Sequence, residues 1–171
     1  MAAQQNPALF QLQKAEKPKI ENIINTVLEG ERKQNALAFV SFLQSLRMTP
    51  QWASVNSWAV SYKSTRVCYI KVGDSLAGPG SWYIRPAIGY NNMLVDFCVK
   101  EQLQEIMLAS VHFCRACGRC APGKHAVFFG KDLDGVCYSI DFEFHNPDIA
   151  VLDCAEKLVI FRRNMIAGRL V

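Results

Sequence analysis

The sequence predicts an α+β fold in which an antiparallel sheet is backed by helices. Three observations carry that expectation. Apolar residues recur at helical spacing near both ends of the chain, they alternate at period two between Trp58 and Arg85 and again from Val136, and clusters of glycine, proline and aspartate separate the runs. The predicted order is helix, helix, three strands, helix, a cysteine knuckle, two strands, helix. With 171 residues, half of them apolar, the chain is long enough to bury one core and short for two, so residues 18–171 are expected to form a single domain.

Each element has its own warrant. Residues 1–17 are polar without period and read as a loosely ordered lead-in. Ile20, Ile23, Ile24, Val27 and Leu28 then mark one helical face, which Gly30 is placed to end. Leu37, Phe39, Val40, Phe42, Leu43 and Leu46 give a second helix, stopped by Thr49 and Pro50. Trp58, Val60 and Tyr62 alternate with small or polar residues, Lys63–Arg66 can turn, and Val67–Val72 resumes as a strand, which together predict a hairpin. After the loop-like GDSLAGPGS comes a third strand, Trp82–Arg85. Leu94, Phe97, Cys98, Leu103, Ile106, Met107 and Val111 suit a helix broken near Lys100. Ala126–Phe129 and Val136–Phe144 are read as strands around a turn at Lys131–Gly135. The last helix opens at Asn146-Pro147-Asp148, with Asn146 as its cap and Pro147 in the first helical position. "RVCYIKV" in the first half and "GVCYSIDF" in the second form a faint echo, which favours a packing role for Cys68 or Cys137.

Composition excludes several classes of protein. The N-terminus lacks the charged and apolar regions of a signal peptide, and no apolar run approaches the roughly 20 residues that cross a bilayer, so a cytoplasmic protein without membrane contact is expected. The formal charge of +4 is thinly spread. Its densest groups are Arg115, Arg119 and Lys124 near the cysteines and Arg162, Arg163 and Arg169 at the end, where they complement a helix dipole; this distribution argues against a nucleic-acid role. No nucleophile elbow, P-loop, dinucleotide fingerprint or zinc-protease motif is present, and no catalytic residue is assigned.

The chemistry-bearing stretch is "HFCRACGRCAPGKH", residues 112–125, which holds three of seven cysteines. The spacing Cys114-x2-Cys117-x2-Cys120 lets neighbouring thiolates converge on one cation, and in a reducing compartment an odd cysteine count points to metal or burial rather than disulfides. Zinc needs a fourth ligand. Cys137 is the first choice because its strand should return beside the knuckle at 114–120, with His125, His112 and Cys154 behind it. An iron–sulfur cluster is the rival, since ferredoxin-type runs share this spacing, but the position of their next cysteine is here Lys124. Thiol redox chemistry at Cys117 and Cys120 is the third reading. Asp132-x-Asp134-Gly135 reads as a turn rather than a calcium loop, and Asp141 and Glu143 as the solvated face of a strand.

The segments Cys120–Lys124, Phe129–Lys131, Val136-Cys137 and His145–Asp148, with the arrangement from Trp52 to Val72, resemble a family of small, uncharacterised bacterial α+β proteins with a C-terminal cysteine cluster. The resemblance implies a fold and no function. A second feature, Trp58, Tyr62, Lys63, Trp82 and Arg85, concentrates rings and cations on neighbouring strands, as in a cleft for a small anionic or aromatic ligand. The resulting expectation is a non-enzymatic, zinc-binding cytosolic domain with a ligand-binding or regulatory role; an iron–sulfur or thiol redox protein is the alternative.

Overall fold

The computed structural model describes residues 7–73, 80–115 and 122–169. The fold is α+β; the described residues form six helices, an antiparallel sheet of five strands and a two-stranded sheet. The chain falls into two compact units, Ile88–Glu143 and a second made of Ala3–Ala87 with Phe144–Val171.

In the larger unit three helices, α1 (Pro7–Glu16), α2 (Ile20–Val27) and α3 (Gly30–Ser45), precede strands β1 (Gln51–Ser54), β2 (Ser57–Tyr62), β3 (Thr65–Val72) and β4 (Trp82–Pro86). The polar lead-in is thus a helix over most of its length. Its anchor is polar, which apolar periodicity does not register: the Gln13 amide donates to Asn56 Oδ1 at 2.7 Å, and its oxygen accepts from Trp52 Nε1 and the Asn56 N–H. Strands β2 and β3 form the predicted hairpin in register Tyr62↔Thr65. Lys63 and Ser64 both take positive φ, 46° and 63°, the two-residue turn whose twist matches that of the strands.

Strand pairing puts Trp58 opposite Ile70, Ile70 opposite Ile84, and Val72 opposite Trp82. Trp58 and Trp82 therefore share one face of the sheet, and that face is the core. Both rings are 0 % exposed; Trp58 Nε1 donates to the Pro18 carbonyl at 3.0 Å, and Trp82 lies 6.4 Å from the Phe39 ring of α3. Strand β7 (Phe144–His145) closes the far edge beside β4, and α6 (Ile149–Ala167) follows. The cap of α6 is Asp148, whose carboxylate accepts from the Val151 N–H, not Asn146. Asn146 instead uses its side-chain oxygen to accept from the Trp82 N–H, holding β4 to the start of the helix.

The smaller unit opens with the predicted broken helix, as α4 (Asn92–Lys100) and α5 (Gln104–Ala109) around Gln102 at φ +57°. The hairpin after it differs from expectation. Strands β5 (Lys124–Phe128) and β6 (Lys131–Val136) turn at Phe129-Gly130, so Asp132, Asp134 and Gly135 are strand residues rather than a turn. The close approach of two backbones explains Gly123. A Cβ on Gly123 would stand 2.6 Å from the Gly135 carbonyl carbon, and both glycines take positive φ. Tyr90 fastens the hairpin: its hydroxyl accepts from the Phe129 N–H at 2.6 Å and its ring packs against Phe128 and Phe142.

The two tryptophans give a stability test. Trp58→Phe loses the bond to Pro18, whereas Trp82→Phe removes a buried indole N–H that has no partner among the described residues. Urea unfolding is expected to show Trp58→Phe as the more destabilised by about 1 kcal/mol. The reverse order would contradict the assigned core geometry.

Candidate functional site

Residues 110–114 form a short extended segment whose one edge is shared by two pieces of returning chain. Val111 bridges to Phe142 and Phe113 bridges to Val136. Four backbone bonds fix the arrangement: His112 N–H to Asp141 O at 2.9 Å, Glu143 N–H to Ser110 O at 2.8 Å, Cys114 N–H to Gly135 O at 2.7 Å and Cys137 N–H to His112 O at 2.9 Å. Residues 137–143 are therefore not one strand, as the sequence predicts. Residues between the two bridges leave the ladder, and Tyr138 is thrown out to solvent.

Alternation about these bridges sorts the side chains. Val111, Val136 and Phe142 lie on the apolar face with Phe113; Ser110, His112, Cys114, Cys137, Asp141 and Glu143 lie on the other. This second face is polar and largely withdrawn from water. His112 Nδ1 lies 2.8 Å from the Glu143 carboxylate, with side chains 11 % and 2 % exposed. Asp141 accepts from the Tyr90 N–H at 3.1 Å and from Lys124 Nζ at 3.3 Å. The expectation that Asp141 and Glu143 sit on a solvated strand face is thus corrected, because their segment pairs with residues 110–113.

Cys114 stands to Cys137 as His112 stands to Glu143, each residue lying one position beyond a member of a bridged pair. Side chains on such a diagonal can reach each other, as the His112–Glu143 contact demonstrates. Cys137 is buried and Cys114 half-buried. Cys117 and Cys120 lie outside the described residues. Within Ile88–Glu143, no three described His, Cys, Asp or Glu residues bring ligand atoms within 4.8 Å of one another.

The remaining cysteines are packing residues. Burial pushes the Cys68 thiol up to about 12, against a smaller opposing effect of Arg66, and burial pushes Cys98 up to about 11. Cys154 is buried in α6 of the larger unit. His125, a reserve ligand in the sequence reading, is engaged otherwise. On the exposed face of the β5–β6 hairpin its Nδ1 lies 2.9 Å from Asp134 and its Nε2 3.2 Å from Asp132. Carboxylates only accept, so both ring nitrogens donate when the imidazole is protonated. The Asp134 hydrogen bond is the main cause that raises the His125 pKa; desolvation opposes it, and the charges of both aspartates with the Asp132 hydrogen bond add to the rise.

The aromatic cleft is also corrected. Trp58 and Trp82 are core residues and line no open surface, because α3 and the residues leading into α2 cover their face. Arg85 alternates to the opposite face from Trp82 and lies over the Tyr83 ring at 5.5 Å. Tyr62 and Lys63 sit at the hairpin turn, with Lys63 Nζ 5.8 Å from the Tyr62 centroid. Sequence alternation leaves the register of Trp82 open; strand pairing puts its ring on the face of Trp58, and helices cover that face.

No protein-family model, curated protein or solved structure matches the chain. Among the described residues no helix is long and apolar enough to cross a membrane.

Two measurements check this geometry. NMR titration is expected to place the His125 pKa above the ordinary value of about 6.5, and Asp134→Asn to lower it. The linkage follows: the hairpin's added stability is fully present below the unfolded-state value and is lost as pH rises through the raised folded one. A His125 pKa at or below the ordinary value contradicts the paired geometry. Glu143→Ala, which strands the His112 N–H in a buried position, is expected to cost about 1–3 kcal/mol, with Glu143→Gln recovering part of it. Equal losses for the two variants would show that the carboxylate accepts nothing that an amide oxygen could.

Proposed function

We propose that the chain is a non-enzymatic metal-binding protein of the reducing cytosol, with zinc held by Cys114, Cys117, Cys120 and Cys137. One observation carries the reading: the backbone ladder that brings Cys137 to the start of the cysteine run and onto the same face as Cys114. Spacing alone explains how Cys114, Cys117 and Cys120 could share a cation; the ladder supplies a reason for a distant fourth thiolate. A closed set of four sulfurs leaves no open coordination position, so the metal's role is structural and its binding free energy is folding free energy.

The surroundings support this reading. Cys137 is buried yet lies on the polar face that carries His112 and Glu143. His112 is committed to Glu143, which leaves the four cysteines as the simplest ligand set.

Elemental analysis of anaerobically purified protein tests the proposal. About one zinc per chain is expected, with a colourless solution. Cys114→Ser, Cys117→Ser and Cys120→Ser should each release the metal and lower the melting temperature sharply, whereas Cys98→Ser should retain zinc and cost about 1–3 kcal/mol. A brown sample absorbing near about 400 nm would replace zinc with an iron–sulfur cluster. Metal-free protein of unchanged stability would remove the proposal.

A further inference from the structure

The sequence disperses its cations, and folding gathers four of them. Lys63 lies in the β2–β3 turn and Arg66 just beyond it; Arg162 and Arg163 come from α6, and Arg162 Nε donates to the Arg66 carbonyl at 3.4 Å across 96 residues of sequence. Arg163 Cζ lies 5.1 Å from the Tyr62 centroid, with Lys63 Nζ at 5.8 Å. Arg66 Cζ lies 4.7 Å over the Tyr69 ring. Among the described residues no carboxylate is within ion-pair distance of any of the four. Lys63, Ser64 and Thr65 are exposed, and Tyr62, Arg66, Arg162 and Arg163 are half-buried.

We propose that this cluster is a binding site for single-stranded nucleic acid. Like charges held together without counter-charge repel, and the repulsion is relieved when a polyanion neutralises them. That requirement selects an anionic partner. The rings narrow the choice further. A guanidinium laid over a tyrosine presents its second plane to an unpaired base, and a ring beside two cations offers stacking next to phosphate contacts. Two Arg–Tyr contacts supply such surfaces on either side of the β2–β3 turn: Arg163 with Tyr62, and Arg66 with Tyr69, whose position opposite Arg85 puts it on the sheet face away from Trp82. An acidic peptide would use the charges and leave these planes idle. The cations' wide separation in sequence also explains why composition argues against this role: neither half is a basic run, and only the packing of α6 against β3 assembles the site.

Fluorescence anisotropy with end-labelled oligothymidylate and oligouridylate, using the full chain, tests the proposal. Binding is expected at about 50 mM salt, with a log–log salt slope near −3 from about 0.7 per neutralised phosphate for four cations. Arg66→Gln with Arg163→Gln should weaken binding at least tenfold and halve the slope. Tyr62→Leu should weaken it about tenfold at unchanged slope. Arg66→Lys with Arg163→Lys keeps the charge and removes the planes, so it should preserve the slope while losing affinity. Ultraviolet cross-linking of the unaltered protein, followed by peptide mapping, should place the adduct at Tyr62 or Tyr69 and requires no variant to fold. No binding at low salt, wild-type affinity in the double glutamine variant, cross-links elsewhere, or equal competition by oligoglutamate would overturn the proposal.

Discussion

The smaller unit depends on one constraint: residues 110–114 offer a single edge to two separate stretches of chain. Val136 and Phe142 both bridge to it, so the intervening residues must leave the ladder. The cost is an interrupted strand and an exposed Tyr138. The gain is a set of satisfied backbone groups and an apolar face of Val111, Val136 and Phe142 turned into the core. The opposite face then has to be polar and self-satisfying, and it is, through His112 with Glu143 and Asp141 with Tyr90 and Lys124. A largely covered histidine and a buried carboxylate are tolerable because each answers the other. The same geometry carries Cys137 to the beginning of the cysteine run.

In the larger unit the sheet divides labour between its faces. One face buries Trp58, Trp82, Val60, Cys68, Ile70 and Ile84 beneath helices, and α6 is long enough to extend past the sheet core to the β2–β3 turn. Three of the four cations there, Lys63, Arg66 and Arg163, lie over ring faces rather than beside carboxylates, and Arg162 donates to the Arg66 carbonyl. A cation over a ring contributes about 0.5–1 kcal/mol at an exposed position, which keeps the cluster assembled without neutralising it. Positive charge is therefore left available to something outside the chain.

Much of this fold was legible in sequence because burial imposes a period. The helix from Ile20 and the helix that carries Leu37, the hairpin around Lys63-Ser64, the strand at Trp82 and the helix broken near Lys100 all follow apolar spacing. The misses share a different cause. Helix α1 is anchored by the Gln13 amide, the Phe129-Gly130 turn competes with a stronger Asp-Gly signal five residues later, and Asp148 caps where Asn146 was the nearer candidate. In each, polar groups decide the outcome through specific partners, and partners are not encoded in periodicity. The candidate site was legible to the same degree: the choice of Cys137 rested on a returning strand, and the His112–Glu143 pair on a bridge that no local pattern announces. Trp58 and Trp82 erred in the other direction, since alternation gives a face but not what covers it.

In the proposed zinc centre the ladder at residues 110–114 is what brings the distant Cys137 thiolate to the metal. X-ray absorption at the zinc edge, comparing the unaltered chain with Cys137→Ser, tests it most directly. An all-sulfur shell at about 2.3 Å is expected in the unaltered protein, with one sulfur replaced by a shorter oxygen or nitrogen contact in the variant. A shell rich in oxygen and nitrogen from the outset, or one that Cys137→Ser leaves unchanged, would contradict it.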